Sequence, residues 1–391
     1  MKPRLLLLAP LAALATLLPA PVANAAQGME IGLQDDDVFV GQKGLAQAKA
    51  YAYAAQLGVS RLRINVSWDQ AVGKSAHDTA APDPIPYDWT KYDKAIDAAA
   101  ANGMHVQLNL MGQSPAWATH DRKVGPNRPD PRLFTQFVQD AATHFKGRVD
   151  RYAIWNEPNW GGWLSPRAQS PRLYRQLYQN AYRNIRAIDP QAKVLIGELQ
   201  PIGRRKKSTP PMQWLRSLTC SKKDWSAASK CSRLVADGFS LHPYTLDYSP
   251  QFPGLGPDDI TTGSLGRLSG VLKKLAKRRA LSDPSGNALE LYLSEYGFFA
   301  RGKRAFPEDM RSGYEVGGFQ IAAADPHVRE MIQFQLASPP LYEQFDTSLL
   351  MAGTQAPSAT FNALAGWAQQ ALAAGQVQQP APFALPPAPT S

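Results

Sequence analysis

Eight short apolar runs, each followed by a longer helical pattern, constrain the fold of this 391-residue chain more than any other feature. The runs are mostly continuous apolar stretches rather than strict alternations, which is typical of parallel strands that are buried on both faces. We predict strands at residues 30–33, 61–66, 105–111, 151–155, 193–197, 238–242, 290–294 and 331–336.

The segments between these runs have the composition and periodicity of crossover helices. Glycine follows three of the helical patterns, at Gly58, Gly103 and Gly147, where it can supply a left-handed C-terminal cap. We predict helices at residues 43–57, 88–102, 131–146, 171–188, 265–281 and 358–374. Eight strand–helix units predict an α/β fold, a single closed (β/α)8 TIM barrel, because the phosphate-binding glycine turn of open doubly wound sheets does not follow the first strand.

The two ends of the chain differ in composition from the rest. Lys2 and Arg4 precede an apolar run over residues 5–18, and small residues at 23–25 form a cleavage site, a pattern typical of a secretory signal. The alternative is an uncleaved membrane anchor, although the run is shorter than the ~20 residues that span a bilayer. We predict a signal peptide at residues 1–25, a barrel domain at 26–375 and a disordered Pro/Ala/Gln-rich tail at 376–391.

Cysteine content and charge narrow the environment and the partners. Cys220 and Cys231 are the only cysteines, and export to an oxidising compartment favours a disulfide between them over a metal site. The formal net charge is +10, and basic clusters such as residues 204–207 are either solvated surface or an attraction for an anionic cell-wall or extracellular polysaccharide. We therefore expect a secreted or cell-envelope protein that has no nucleic-acid partner and no stable membrane insertion after cleavage.

Two glutamates stand at strand ends, where functional groups gather in a barrel of this kind. The fourth run ends in Trp-Asn-Glu-Pro-Asn at residues 155–159, and the seventh ends in Leu-Ser-Glu-Tyr-Gly at residues 293–297. A carboxylic acid can protonate a glycosidic oxygen, an amide can bind a ring hydroxyl, and aromatic faces can cover sugar rings. Retaining hydrolysis of a glycoside uses two carboxyl groups about 5–5.5 Å apart, and Glu157 and Glu295 would face each other across the barrel.

Together with Ser-Leu-His-Pro-Tyr at residues 240–244, these motifs resemble the signature of clan A glycoside hydrolases, closest to the family 39-like and family 5-like branches. The resemblance extends over residues 30–367. It implies a retaining glycosidase that cleaves O-glycosidic bonds, in the leading hypothesis β bonds, in a polysaccharide or oligosaccharide by double displacement. In that mechanism Glu157 would be the general acid and then the general base, and Glu295 would be the nucleophile.

The same resemblance implies supporting roles for other side chains. Asn156 would bind the sugar 2-hydroxyl, Tyr244 would orient Glu295, and Arg63 would lie under the nucleophile and keep it ionised by charge pairing. His242 would line the site near the acid/base. Further candidate sugar contacts are Trp68, Asn109, Trp117 and Trp160. The resemblance implies no metal ion or other cofactor, and we expect a monomer that acts on carbohydrate.

The sequence departs from the family pattern at two strands, and several alternatives stay open. The eighth run reads Phe-Gln-Leu at 334–336 without the tryptophan that usually lies under the reactive sugar, and Asn109 or Gln113 stands where a histidine often ends the third strand. The alternative functions are a non-catalytic glycan-binding barrel, a transglycosylase on the same site and a metal-dependent hydrolase. For residues 35–37, three consecutive aspartates, we expect a solvated turn in preference to a cation site.

Overall fold

The computed structural model describes residues 28–339 and 345–383, and all eight predicted strands are present within three residues of their predicted bounds. They form a closed, fully parallel barrel in which each strand pairs with its chain neighbours and the first pairs with the last, which confirms the predicted fold. The strands are β1 (Glu30–Gln34), β2 (Arg61–Ser67), β3 (His105–Met111), β4 (Arg151–Ile154), β5 (Lys193–Leu199), β6 (Gly238–Leu241), β7 (Leu291–Tyr296) and β8 (Val328–Phe334).

A longer helix follows every strand within the described residues. The helices are α1 (Gln47–Gln56), α2 (Thr90–Ala101), α3 (Pro131–His144), α4 (Ser170–Ile188), α5 (Pro211–Leu218), α6 (Leu265–Lys277), α7 (Glu308–Ala324) and α8 (Ala359–Ala373). Six of them are the predicted ones, whereas α5 and α7 were not predicted. Helix α5 is only eight residues long, and α7 carries three glycines, which lower helix propensity. At Gly318 a Cβ would lie 2.0 Å from the Tyr296 hydroxyl, so the glycine lets α7 pack closely on β7.

An ion-pair cluster closes the amino-terminal end of the barrel. Arg61 lies 2.8 Å from Glu30 and 3.3 Å from Glu330, and Arg151 pairs with Glu330. Both arginines and Glu330 are buried, so each charge needs these partners to offset the loss of hydration. This cluster is structural, and it lies at the end opposite the strand ends that carry the candidate site.

The last described residues of the chain pack against the barrel. Val377 pairs with Met29, and the Ala381 carbonyl accepts a hydrogen bond from His105, so residues 376–383 lie against the amino-terminal end of the barrel. The predicted signal peptide and residues 384–391 lie outside the described residues, so the predicted domain boundaries stay predictions. Cys220 and Cys231 form the predicted disulfide. Within the described part of the chain, no helix has the length and apolar content needed to cross a bilayer.

Candidate active site

A cavity of about 460 Å³ opens at the carboxyl ends of the barrel strands. Glu157, three residues beyond β4, and Glu295, within β7, both line it, and their side chains are 14% and 12% exposed. The cavity is within the range of ligand-binding pockets, and in this fold the carboxyl face is where active sites lie. The two glutamates predicted to do the chemistry are therefore in one accessible cleft.

One imidazole nitrogen contacts both glutamates. The Nδ1 atom of His242 lies 3.1 Å from Oε1 of Glu157 and 3.4 Å from Oε2 of Glu295. One ring nitrogen of His242, one carboxyl oxygen of Glu157 and one carboxyl oxygen of Glu295 all lie within 4.8 Å of one another. At least one oxygen of Glu157 is therefore within 4.8 Å of one oxygen of Glu295, which favours the ~5–5.5 Å spacing of retaining glycosidases over the ~6.5–9.5 Å spacing of inverting ones.

Glu295 is held by two of the predicted partners. The Arg63 Nη1 atom donates to its Oε1 at 2.8 Å, and the Tyr244 hydroxyl donates to its Oε2 at 3.3 Å. Asn156 also lines the cavity and accepts from Arg63 Nη2 at 3.3 Å. The structure thus brings together six of the predicted site residues: Asn156, Glu157, Glu295, Arg63, His242 and Tyr244.

A third glutamate, which sequence reasoning missed, lies beneath this group. Glu198 of β5 is fully buried and accepts from Arg63 Nη2 at 2.6 Å, from His242 Nε2 at 3.1 Å and from the Ser240 hydroxyl. A signal was present in the sequence, since a glutamate within an apolar strand must be paired or functional. The predicted strand ended at residue 197, two residues before the observed end of β5 at Leu199, and so left out Glu198.

The arrangement sets the ionisation of the buried groups. Burial on its own would lower the pKa of His242, but Glu295, Glu157 and Glu198 raise it to about 10, so His242 is an imidazolium at neutral pH. Burial disfavours the Glu198 anion, yet Arg63 and His242 lower its pKa to about 2. Burial raises the pKa of Glu157, and the nearby Glu295 carboxylate adds to this effect. Glu157 therefore retains its proton to higher pH than an exposed glutamate, as a general acid must.

One side of the cavity, next to β1, β2 and β8, is formed by amides, a carboxylate and aromatic rings. Asp36 accepts from the Asn65 backbone and side chain, both at 3.0 Å, and from Gln34 at 3.1 Å. Asp35 accepts from the backbone of residues 336 and 337 and caps a short helix. The expected solvated turn at 35–37 is therefore wrong for Asp35 and Asp36. Phe334, the last residue of β8, and Phe345 also line the cavity.

The opposite side of the cavity follows the acid/base. Trp160, which was predicted as a candidate sugar contact, is 39% exposed and lines it three residues after Glu157. Gln200, Arg204 and Lys207 from the segment after β5 continue the same wall. The basic cluster at 204–207 therefore places two of its cations at the cavity.

Three predicted sugar contacts lie away from the cavity. Trp68 is fully buried and stacks on Phe137 of α3, with ring centroids 5.7 Å apart. Trp117 meets Trp68 edge-on at 5.5 Å and is 3% exposed. Asn109 is buried and donates to Asn65 at 3.0 Å, so it supports a cavity-lining residue from beneath. A position at a loop start does not fix the direction of a side chain: Trp68 packs against α3, and Trp117 packs against Trp68 and donates to the Ser75 carbonyl at 2.9 Å.

The backbone at the strand ends is also unusual. Four residues at or next to the cavity have positive φ angles: Trp155 at 71°, Glu157 at 39°, Glu198 at 51° and Gln335 at 67°. Such conformations cost about 1–3 kcal/mol each for side chains other than glycine and cluster at functional sites. Packing around the cavity holds them, which is a property that no local sequence pattern reveals.

A model of the family described as cellulase (glycosyl hydrolase family 5) matches residues 24–251, more than half of the chain. The chain belongs to glycosyl hydrolase family 5. This membership agrees with the clan A resemblance carried by the strand-four and strand-seven motifs. A search of curated proteins gave no match to this family 5 chain.

Solved structures share the barrel with this family 5 protein at low sequence identity. A family 39 glycoside hydrolase from Bacteroides cellulosilyticus WH2 has a TM-score of 0.62 at 14% identity, over 88% of this chain and 64% of its own length. A monomeric β-xylosidase from Caulobacter crescentus CB15 gives 0.56 at 18%, over 86% and 67%. Endoglucanase Cel5A from Thermotoga maritima gives 0.53 at 14%, over 86% and 96%. The chain thus spans just under two thirds of the first of these, and at such identities the likeness shows the fold alone.

Proposed function

We propose that the protein is a retaining glycosidase that cleaves O-glycosidic bonds, in the β configuration, by double displacement. The observation that carries this proposal is the pair of cavity glutamates, Glu157 and Glu295, which face each other closely enough for His242 Nδ1 to contact both. Membership of glycosyl hydrolase family 5 supports the same chemistry.

In the first step, the Glu295 carboxylate attacks the anomeric carbon while Glu157 gives its proton to the departing oxygen. This forms a glycosyl ester on Glu295 and removes its negative charge, so Glu157 can now remain ionised. In the second step Glu157 takes a proton from water, which attacks the same carbon and releases Glu295. Arg63 and Tyr244 orient the nucleophile through their hydrogen bonds, and Asn156 is placed at the cavity wall to bind a sugar hydroxyl.

We further propose that the substrate is an extracellular or cell-wall polysaccharide or oligosaccharide, and that the protein acts there as an exported monomer. The signal-like pattern at residues 1–25 and the disulfide between Cys220 and Cys231 support export. The open cavity with Trp160 at its edge suits a sugar chain. Arg204 and Lys207 at the same edge support an anionic polymer.

The sharpest test is chemical rescue on activated aryl glycosides, after a screen of neutral and acidic polysaccharides has identified the sugar. The Glu295→Ala variant is expected to lose several orders of magnitude in rate and to regain activity with azide, giving the glycosyl azide of inverted configuration. Glu157→Ala is expected to give the azide of retained configuration. Glu290→Ala, at the amino-terminal end of β7, is the matched control and keeps its activity. A Glu295→Ala variant with near-normal activity would contradict the proposal, and a wild type that binds glycans without cleaving them would favour a glycan-binding barrel.

A metal-dependent hydrolase is the second candidate, because Glu157, His242 and Glu295 bring three potential ligand atoms within 4.8 Å of one another. However, a metal ligand must be a neutral imidazole, whereas both ring nitrogens of His242 lie against carboxyl groups, Nδ1 at 3.1 Å from Glu157 and Nε2 at 3.1 Å from Glu198, which favours its protonated form. We expect activity to be unchanged after dialysis against EDTA and after addition of Zn²⁺, Mn²⁺ or Ca²⁺. Loss of activity on dialysis, with recovery when one ion is added, would favour the metal candidate.

Transglycosylation on the same site is the other alternative. Analysis of the products formed in the presence of a sugar acceptor would reveal it.

A further inference from the structure

Two basic side chains are fixed at the cavity edge next to the acid/base. The loop after β5 that carries Arg204 and Lys207 is joined to the loop after β4 by a hydrogen bond from Gly161 N to Lys207 O at 2.9 Å. This bond belongs to an antiparallel bridge between Trp160 and Ser208, whose other hydrogen bond runs from Thr209 N to Asn159 O at 2.8 Å. The Ser208 hydroxyl also accepts from Arg204 N at 2.9 Å. These contacts hold the backbone of the basic loop against the segment that follows Glu157.

The charges of these two side chains are available to a ligand. Over residues 28–339 and 345–383, no carboxylate lies within ion-pair distance of Arg204 or Lys207, and both residues are exposed. Arg304 lines the cavity as well, but it pairs with Asp247 at 2.6 Å and lies over the Phe299 ring. The uncompensated positive charge is therefore concentrated on the Trp160 side of the cavity.

The opposite side of the cavity has a different character. It presents the amides of Gln34, Asn65 and Gln335 together with the Asp36 carboxyl group. Amides bind neutral sugar hydroxyls, and a carboxylate disfavours a second negative charge nearby. The two sides of one cavity thus favour ligands of different charge.

The mechanism decides which part of a substrate each side meets. Glu157 must reach the departing oxygen, whereas Glu295 attacks from the opposite face of the sugar ring. The leaving sugar therefore lies along the loops that contain Trp160, Arg204 and Lys207. We propose that this edge is a leaving-group subsite for an anionic sugar, one that carries a carboxylate or a sulfate, and that the sugar on the opposite, amide-lined side is neutral. This inference rests on the proposed function and adds the position of the charge.

The first test is kinetic. The double variant Arg204→Gln/Lys207→Gln is compared with wild type on 4-nitrophenyl glycosides of the preferred neutral sugar and on their 3-carboxy and 3-sulfo analogues. We expect kcat/KM to fall about tenfold, or about 1.4 kcal/mol, for the charged leaving groups and less than about twofold for the neutral one, because only the charged groups lose two partly screened ion pairs. The loss should shrink in 0.5 M NaCl, since salt screens exposed charges.

The matched control is Arg205→Gln/Lys206→Gln, which removes the same charge from the same loop at residues that do not line the cavity. Equal losses in the two double variants, or equal losses on charged and neutral leaving groups, would overturn the inference. A wild type inactive on every aryl glycoside would instead count against the proposed function. A second test then decides the subsite alone: binding of methyl β-glucuronide, which carries one carboxylate, and of methyl β-glucoside 6-sulfate, which carries one sulfate, to Glu295→Gln, with and without Arg204→Gln/Lys207→Gln. Absence of binding of both ligands to Glu295→Gln itself would also overturn the subsite. Loss of binding with the added substitutions supports the subsite, and equal binding overturns it. The two ligands separate carboxylate from sulfate recognition.

Discussion

Glu198 connects the two cations that lie beneath the cavity glutamates. It contacts Arg63 at 2.6 Å and His242 at 3.1 Å, and these two side chains in turn contact Glu295 and Glu157. Its own side chain does not line the cavity. Glu198 is therefore a positioning residue, which balances the charge of Arg63 and His242 so that both can act on the reactive carboxyl groups.

We expect Glu198→Gln to lower the pKa of His242 from its wild-type value of about 10, because one of three stabilising carboxylates is lost. The titration of the His242 ring nitrogens, followed by NMR, measures this directly, and the pH profile of kcat/KM should shift as well. Glu315→Gln is the control, because this buried glutamate accepts from Phe298 N at 3.1 Å, whereas the hydrogen bonds of His242 go to Glu157 and Glu198. An unchanged His242 titration in Glu198→Gln would contradict the positioning role.

The tryptophans differ in what their loss should do. Trp68→Ala removes a fully buried ring and should cost about 3–5 kcal/mol in unfolding free energy. Trp160→Ala removes a 39% exposed ring at the cavity, so stability should change by less than about 0.5 kcal/mol while KM rises. Urea denaturation and steady-state kinetics on the same preparations measure both. If KM stayed constant in Trp160→Ala on every substrate, its role as a sugar platform would be wrong.

At the level of elements, local sequence patterns predicted the order of the strands and most of the helices. They did not predict the close contacts between a helix and a strand. The apolar runs predicted every barrel strand, because a strand buried on both faces leaves a continuous hydrophobic signature. Helix α7 escaped prediction because Gly313, Gly317 and Gly318 weaken its helical signal. The reason for Gly318 lies in another element, where Tyr296 of β7 occupies the space of a side chain.

Gly197 gives an element-scale prediction. It has a φ of +121°, and a Cβ there would lie 2.4 Å from the backbone oxygen of Ser240 in β6. We expect Gly197→Ala to destabilise the fold by about 3 kcal/mol, through backbone strain and separation of β5 from β6, and to displace Glu198.

Gly313→Ala is the control. Gly313 lies on α7, where an added Cβ would meet open space, so this substitution should stabilise the fold by about 0.5–1 kcal/mol. Chemical denaturation of both variants measures the difference, and similar midpoints would show that the tight contact is unimportant.

For the whole molecule, the buried titratable groups predict that stability is highest at mildly acidic pH. The pKa of Glu198 is lowered to about 2, so its contribution is present above pH 4.5 and is lost as the pH falls toward 2. Burial raises the pKa of Glu315 to about 7, so its contribution is lost as the pH rises from 4.5 through 7. The stabilisation from His242, whose pKa is raised to about 10, is lost between pH 6.5 and 10. We expect the urea midpoint to be highest near pH 5 and lower at pH 3 and pH 9, and a maximum above pH 8 would contradict this.

The sequence by itself determined the eight-stranded barrel and the two cavity glutamates. Strand periodicity is local, and in a closed parallel barrel every strand end lies at a known face, so a glutamate at such an end could be assigned to the mouth. Only the tertiary structure decided that Glu198 and Asp36 join the site and that Trp68 and Trp117 do not. Arg63 contacts Glu198 and Glu295 across 135 and 232 positions of the chain. Contacts at such separations, and the direction in which a side chain points at a loop start, depend on how the elements pack, which no local pattern contains.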